Sequence, residues 1–396
     1  MSKKNKFSVV IVGAGPVGLV GALRLSMLGI DVLIVDKASH GSNDLRASTF
    51  HPPTLEMLDQ LQVFQKLSDL GIRCPTWQIR LHETGESATF DLSILKTETE
   101  YPYRLQAEQS KLCEIIRQEL LAKAVPFWQS CEVVAIEQTS SQVTLVSYLQ
   151  GEKTLIEADF VLACDGAHSA LRSCTKLSFE GITYPETTIV ATTNTRFEDY
   201  LPSLASINYT WSNFGTYTLL RLPDRWRVSL HIDQGETIET AIQPSTIESK
   251  LQRIYNKGSA YVVFESRAYT IHKKLLNNFQ EGRVLFAGDS AHLTSPSGGM
   301  GMNGGIHDVW YACTLLNQVY QKQSLTPLQS YTAHRRPIVE YAILAQADEN
   351  RKRMNLLDPI ARVHELKRLQ DIAHDKVACK KFLMKTSMLE AFNQRL

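Results

Sequence analysis

Three short stretches combine glycines with acids at spacings that suit a bound nucleotide. The first is Gly13-Ala14-Gly15-Pro16-Val17-Gly18, set between a β-branched run and a helical one. Gly13 permits a tight turn, Gly15 lets backbone approach a pyrophosphate, and Gly18 lets the helix lie close on the strand. The diphosphate then meets free N–H groups and the positive end of the helix, with Pro16 and Val17 in the same contact. Asp36 follows Gly13 by 23 residues and ends the next apolar run, with Lys37 beside it. A carboxylate there accepts hydrogen bonds from ribose hydroxyls, which favours FAD or NAD over NADP. A glycine-rich turn without a ligand is the plainer reading; the flanking strand, helix and Asp36 weigh against it. The second stretch is Asp165-Gly166-Ala167-His168-Ser169-Ala170-Leu171-Arg172. Asp165 and Arg172 can bond across this turn, either as part of a site or as a structural brace, and His168 reads as an exposed loop histidine. The third runs from Arg283 to Gly305 and contains Gly288-Asp289, Pro296 and Gly298-Gly299-Met300-Gly301-Met302-Asn303. It offers an oriented carboxylate, a fixed backbone and a helix N-terminus in one small volume. The alternative for Asp289 is a plain N-cap or Asx turn.

The elements that must hold these stretches can be read from periodicity. Val9–Val12 is a short strand, Pro16–Leu28 a helix closed by Gly29, and Asp31–Val35 a second strand. Parallel strands need that kind of crossover. Residues 44–75 read as mostly helical, with Leu55, Leu58, Leu61 and Phe64 on one face, and Lys111–Lys123 as a further amphipathic helix. Residues 132–137, 143–148 and 154–156 suggest an antiparallel meander, and Phe160–Cys164 a separate buried strand. From about 180 to 270 the texture becomes antiparallel, with Ile207, Tyr209 and Trp211 alternating against Asn208, Thr210 and Ser212. Pro223-Asp224 is a good turn between two of these strands. The α/β pattern resumes at 283, and from Tyr331 onward the chain is charged and helical.

At 396 residues with 43% hydrophobic content, the chain can fill a large core. Its 42 Lys and Arg against 41 Asp and Glu remove the electrostatic case for nucleic acid as main partner and for a polybasic membrane surface. The seven cysteines contain no Cys-x-x-Cys pair, so neither a disulfide framework nor a metal site is expected, and a reducing cytoplasm is the natural reading. No apolar run approaches the length of a membrane span. The basic residues Lys3, Lys4 and Lys6 before a short apolar run read as a solvated lead into a first strand, not as a signal peptide.

Taken together, these residues resemble the class A FAD-dependent aromatic hydroxylases, the p-hydroxybenzoate hydroxylase-like flavoprotein monooxygenases. The resemblance implies an α/β fold: a discontinuous Rossmann-like FAD-binding domain of the glutathione-reductase type (1–75, 100–178 and 271–330). An antiparallel sheet for substrate (76–99 and 179–270) is inserted in it, and C-terminal helices (331–396) follow. In that family the residue at Asp289 bonds the ribityl chain, and those at Pro296, Gly299, Gly301 and Met302 lie along the isoalloxazine. The Asp165 motif is associated with FAD and with transient NADH or NADPH binding. Arg46, Gln106 and Val133 fall where relatives contact FAD, though each also reads as an ordinary surface or core residue. NAD(P)H reduces the flavin, O2 is captured as a C4a-hydroperoxide, and an electron-rich ring is hydroxylated. The expected partners are a small aromatic or heteroaromatic substrate and O2, in a monomer or homodimer.

The catalytic groups are less defined. His51, before Pro52-Pro53, reads as a base or, as the favoured alternative, a cap for the helix starting at Thr54. Tyr217, Arg221, Arg227 and His231 project at period-two spacing, on a face that roofs the substrate or on a solvated one. Pro296 completes the catalytic candidates, and His292 reads as structural. A flavin reductase or dehydrogenase of the same fold, and a non-catalytic FAD-binding scaffold, are the competing functions. A flavin halogenase is disfavoured because its Trp-x-Trp-x-Ile-Pro signature is absent.

Overall fold

The computed structural model describes residues 5–39 and 47–393. Its first sheet is built on Lys6–Val12, a strand whose Val9, Val10 and Ile11 are wholly buried. Val32–Val35 pairs with it in parallel on one side and Glu152–Ala163 on the other, and Val284–Phe286 joins beyond that. A strand buried on both faces must be apolar throughout, as these runs are. The helix Pro16–Met27 crosses between the first two strands and ends at Gly29, whose φ of 75° is open to glycine without cost.

Two sequence expectations are corrected here. Residues 154–156 and 160–164 are one continuous strand, Glu152–Ala163. Its first half pairs antiparallel with Val143–Leu149 and its second half parallel with Lys6–Val12. The polar Glu157 and Asp159 that break the apolar pattern mark this change of partner, not a loop. The 44–75 segment is also less helical than expected. Helices span Pro52–Gln60 and Phe64–Asp69, but Thr49–Phe50 and Ile72–Cys74 are strands. Both flank Arg104–Gln106 in a small three-stranded sheet.

The second large sheet is antiparallel over most of its width, from Val263–Leu276 through Phe179–Thr193, Trp226–His231 and Gly215–Arg221 to Ile207–Ser212. Thr76–Leu81 joins it in parallel beside Ile207–Ser212. One face is closed by the helix Pro244–Ile254, whose Ile247 and Leu251 bury with Tyr217, Leu219 and Val228. The helices after residue 330 bind the two sheets together. Tyr331 is fully buried and its hydroxyl donates to the carbonyl of Phe286 at 2.7 Å. Further on, Leu366, Leu369 and Leu383 bury with Trp77, Phe90 and Ile207. Among the described residues, no helix is long and apolar enough to cross a membrane.

Candidate active site

The glycine turn is held open by close packing. A Cβ on Gly13, whose φ is 105°, would stand 2.2 Å from the carbonyl oxygen of Cys164, and one on Gly18 would stand 2.0 Å from that of Gly13. Gly15 differs, because a Cβ there meets nothing within 4 Å. The helix that follows has Gly15 as N-cap, no side-chain cap and no acid in its first turn, so its free N–H groups face this space. Arg117, from the helix Gln109–Ala122, donates to the carbonyl of Ala14 at 3.4 Å and brings a cation to the turn. Asp36 accepts the N–H groups of Ala14 at 2.6 Å and Ala38 at 2.8 Å, pinning the turn to the end of the second strand. Lys37 is exposed beside it, and Val133 is buried in the core. Arg46 lies outside the described residues.

Asp165 adjoins Gly13, and its buried Oδ1 has no partner while Oδ2 accepts the N–H of Leu171 at 3.1 Å. Burial pushes its carboxyl up, against hydrogen bonds from Ser169 and backbone that lower it. The expected hydrogen-bonded brace to Arg172 is not what forms. Arg172 donates instead to the carbonyls of Ala167 at 2.6 Å and Ser290 at 3.0 Å, so it ties this loop to the Asp289 turn. Main-chain carbonyls lie within its reach in the turn, whereas the Asp165 carboxylate is turned to the backbone of the helix Ala170–Ser173 that follows.

The third stretch forms the opposite end of the site. Gly288–Ser290 is a single 3-10 turn after the strand Val284–Phe286, and its Asp289 is half-buried. Gly305 presses against it, since a Cβ there would stand 2.7 Å from the Cα of Gly288. The long helix begins at Met300, with Gly299 as a left-handed N-cap, no side-chain cap and no acid in its first turn. Gly301 and Met302 lie in that first turn, and Pro296 sits exposed on the loop before it. Behind the turn, Asp308 accepts from His292 Nε2 at 2.7 Å and Arg335 Nε at 2.8 Å, all three buried. Burial would raise the Asp308 carboxyl, but the Arg335 and His292 charges overcome this and hold it below the usual range. This makes His292 part of a core network.

His51 is where the Gly298 loop meets the small sheet. It is fully buried, and its Nε2 lies 2.8 Å from the carbonyl of Gly298. A carbonyl only accepts, so Nε2 carries the proton and Nδ1 presents a lone pair, which has no partner. The favoured capping role is corrected: His51 stands at the N-cap position but its ring makes no cap bond. Burial and the nearby Arg104 charge push its pKa down to about 3. Around it, Gln106 donates to Thr49 Oγ1 at 2.8 Å and accepts from Ser48 Oγ at 3.2 Å, and Ser48 Oγ accepts from Arg227 at 3.0 Å. Gln106 thus braces the site from within.

The substrate-wall expectation is corrected in part. In the hairpin Thr218 opposes Ser229 and Leu219 opposes Val228, so odd positions of one strand share a face with even positions of the next. Tyr217 and Arg221 therefore face away from Arg227 and His231. Tyr217 points into the helix-covered core and its hydroxyl contacts His82 Nδ1 at 2.8 Å. Arg227 points toward the small sheet, and His231 lies on its face, with burial lowering its pKa. Arg104, Asn303, Asp308 and Ser48 were not singled out in the sequence; Asn303 sat inside the glycine-rich motif and Ser48 in the short stretch with Arg46.

Two helix N-termini without side-chain caps, a glycine cradle with open space at Gly15 and one unmet carboxylate oxygen at Asp165 together fit a dinucleotide flavin. Fold and site define a FAD-binding protein of the α/β type. Residues 6–346 match the family described as FAD binding domain. Over 98% of this chain and 96% of the relative, it is 29% identical to para-nitrophenol 4-monooxygenase of a Pseudomonas strain. It is 31% identical, over 88% of its length and 89% of the relative's, to 6-hydroxy-3-succinoylpyridine 3-monooxygenase of Pseudomonas putida. The crystal structure of p-nitrophenol 4-monooxygenase from Pseudomonas putida superposes with a TM-score of 0.92 at 27% identity, covering 99% of this chain and all of that one. The chain belongs to the FAD binding domain family and, within it, to the class A flavoprotein monooxygenases.

Proposed function

We propose that this enzyme hydroxylates a phenol-like aromatic or heteroaromatic small molecule, using O2 and NADH or NADPH. The overall balance is one ring C–H converted to C–OH, with one O2 reduced by one NAD(P)H and one proton, releasing water. The observation that carries the reading is the meeting of His51, Thr49 and the Gly298–Gly299 loop, where the FAD-side helix starts beside buried polar groups. FAD supplies hydride acceptance and oxygen activation when bound. The glycine cradle would hold its diphosphate, Asp36 its ribose and Asp289 its ribityl chain. The N-terminus of the long helix favours negative charge on the flavin edge. Asn303 fixes the loop against the small sheet, and the second sheet keeps water from the reacting centre. His51 holds a proton on Nε2 and offers Nδ1 as an acceptor. Its depressed pKa makes it a positioning group and a poor base at neutral pH. His231 and Arg227 would lie on the substrate side of the proposed domain division.

The test is an oxygen electrode with purified, FAD-loaded protein and a panel of phenols and hydroxypyridines. Aromatic-stimulated NAD(P)H oxidation with matched O2 uptake and hydroxylated product supports the proposal. NAD(P)H oxidation without O2 uptake marks a reductase, and FAD binding without stimulated oxidation marks a scaffold.

A further inference from the structure

The loop 295–299 leads into the long helix and ends in two left-handed glycines, Gly298 at φ 96° and Gly299 at φ 68°. Such a backbone has few side chains of its own to hold it. His51 and Asn303 hold it at the carbonyls of Gly298 and Gly299. A further hold comes from a distant part of the chain. Asn350, in the helix Ala345–Met354, lays its Nδ2 against Gly298, where a Cβ would stand 2.7 Å from it. The same Nδ2 donates to the Ser297 carbonyl at 3.4 Å. Its Oδ1 accepts from Gln346 Nε2 and Arg353 Nη1, both at 3.0 Å. Two donors at Oδ1 fix the orientation of the amide, so its N–H groups must face the loop.

The helix that carries Asn350 is fastened to the second sheet. From the strand Phe179–Thr193, the Tyr184 hydroxyl donates to Asp348 Oδ1 at 2.7 Å. Glu186 Oε1 accepts from Arg351 Nη1 at 2.6 Å and from Asn355 Nδ2 at 2.7 Å. From the strand Ile207–Ser212, the buried Trp211 donates its Nε1 proton to the carbonyl of Arg353 at 3.0 Å. These contacts span 348 to 355, so Asn350 lies within a segment whose position the sheet sets. The preceding turn, Val339–Leu344, is π-helical. Its Ile343 packs on the long helix, where a Cβ on Gly304 would stand 2.6 Å from Ile343 Cδ1. A π-turn holds more residues than an α-turn and so rotates the face that follows it. One run of chain thus touches the long helix, the 295–299 loop and the second sheet.

We propose that Asn350 is a positioning residue that sets the spacing between the 295–299 loop and the second sheet, and so couples reductant use to ring hydroxylation. The inference rests on the hydroxylase reading, in which that loop borders the flavin and that sheet the substrate. Oxygen transfer to a ring carbon needs close approach, and a misplacement of about 1 Å can cost about 100-fold in rate. Where transfer slows, the competing balance is O2 + NAD(P)H + H+ giving H2O2 + NAD(P)+, with no ring C–H broken. Loosening the loop therefore diverts electrons to peroxide while NAD(P)H oxidation continues.

Asn350→Asp keeps the acceptor for Gln346 and Arg353 and removes the donor to Ser297. Asn350→Ala removes both, and it carries the test if the carboxylate variant does not fold. FAD-loaded wild type and variants are compared for hydroxylated product and H2O2 per NAD(P)H consumed, with the best aromatic of the panel. Hydrogen exchange at the Ser297 and Gly299 amides is followed on the same samples. Product per NAD(P)H is a ratio, so a fraction of inactive protein does not change it. We expect that ratio to fall about twofold or more, with H2O2 rising to match. The two amides should exchange about 10-fold faster. Lys352→Ala, on the same helix with a side chain 70% exposed, removes only a surface ion pair and should leave both readings at the wild-type level. Wild-type coupling in the Asn350 variants overturns the proposal, whether or not the loop loosens. Lost coupling with unchanged exchange overturns it too, because the loop is then not what moved. If wild type hydroxylates no aromatic, the hydroxylase reading falls by itself. Exchange in the Asn350 variants then decides whether Asn350 holds the loop, and unchanged exchange removes that hold as well.

Discussion

Asn303 holds His51 across 252 residues of sequence: its Oδ1 accepts the His51 backbone N–H at 3.0 Å. Its Nδ2 donates to the carbonyls of Thr49 at 2.8 Å and Gly299 at 2.7 Å. One buried amide thereby fixes the small sheet to the loop that precedes the long helix. An alanine there removes the partner of the buried His51 N–H and Thr49 carbonyl, and a donor to the half-buried Gly299 carbonyl. We expect Asn303→Ala to destabilise the fold by about 2–4 kcal/mol and to weaken FAD binding as the loop loosens. Thermal unfolding and flavin titration of the same sample check both. A variant with wild-type FAD affinity would show that the loop keeps its shape without Asn303.

Gly13 and Gly15 should fail in different ways. A Cβ on Gly13 collides with protein backbone at 2.2 Å, so Gly13→Ala disturbs the chain itself. A Cβ on Gly15 meets nothing within 4 Å of protein, so only a ligand can feel it. We expect Gly15→Ala to leave the unfolding free energy of the flavin-free protein within about 0.5 kcal/mol of wild type. Its FAD affinity should fall about 10-fold or more, whereas Gly13→Ala loses stability even without FAD. Unchanged FAD affinity in Gly15→Ala would move the diphosphate away from this turn.

The readable parts of the site are those encoded by local backbone need. Gly13 and Gly18 show in the sequence because close approach excludes a side chain there, and Gly288-Asp289 because a turn follows a buried strand. Arg104 did not show, because its neighbours Trp77, Tyr209 and Thr386 are brought to it only by the fold. Asp308 reaches Arg335 27 residues away and Ser48 reaches Arg227 179 residues away, so their pairing appears only in three dimensions. Alternation alone does not show that Tyr217 lies on the face opposite Arg227 and His231. Alternation defines two faces for each strand, but the hairpin register decides which faces coincide, and that register shifts the phase by one residue.

That correction has a kinetic consequence. Tyr217 lies in the helix-covered core, and burial pushes its hydroxyl well above the usual phenol range. We expect Tyr217→Phe to cost about 1 kcal/mol, through the lost contact with His82, and to leave turnover with a good substrate within twofold of wild type. Arg227→Ala, in contrast, removes the donor to Ser48 and should disturb the Gln106 network and lower turnover. Steady-state NAD(P)H oxidation with the best phenol of the panel separates them. A strong turnover defect in Tyr217→Phe alone would put that face back in the substrate wall.

His51 makes the protein acid-sensitive in a defined window. Its ordinary pKa of 6.5 falls to about 3 in the fold, because burial and Arg104 oppose the charged ring. The unfolded chain therefore binds a proton that the folded one refuses as pH falls below 6.5. The stability held at neutral pH is complete above that value and declines below it, by about 1.4 kcal/mol per pH unit, until the folded value is reached. Between pH 6.5 and about pH 5 the loss should be roughly 2 kcal/mol from this group. His51→Gln keeps an N–H for the Gly298 carbonyl and removes the titration. Its unfolding free energy should be flatter across the same interval by that amount, measured by urea unfolding at several pH values with FAD bound. Parallel pH profiles for wild type and His51→Gln would mean that the ring is charged in the fold, and would restore His51 as a candidate proton acceptor in catalysis.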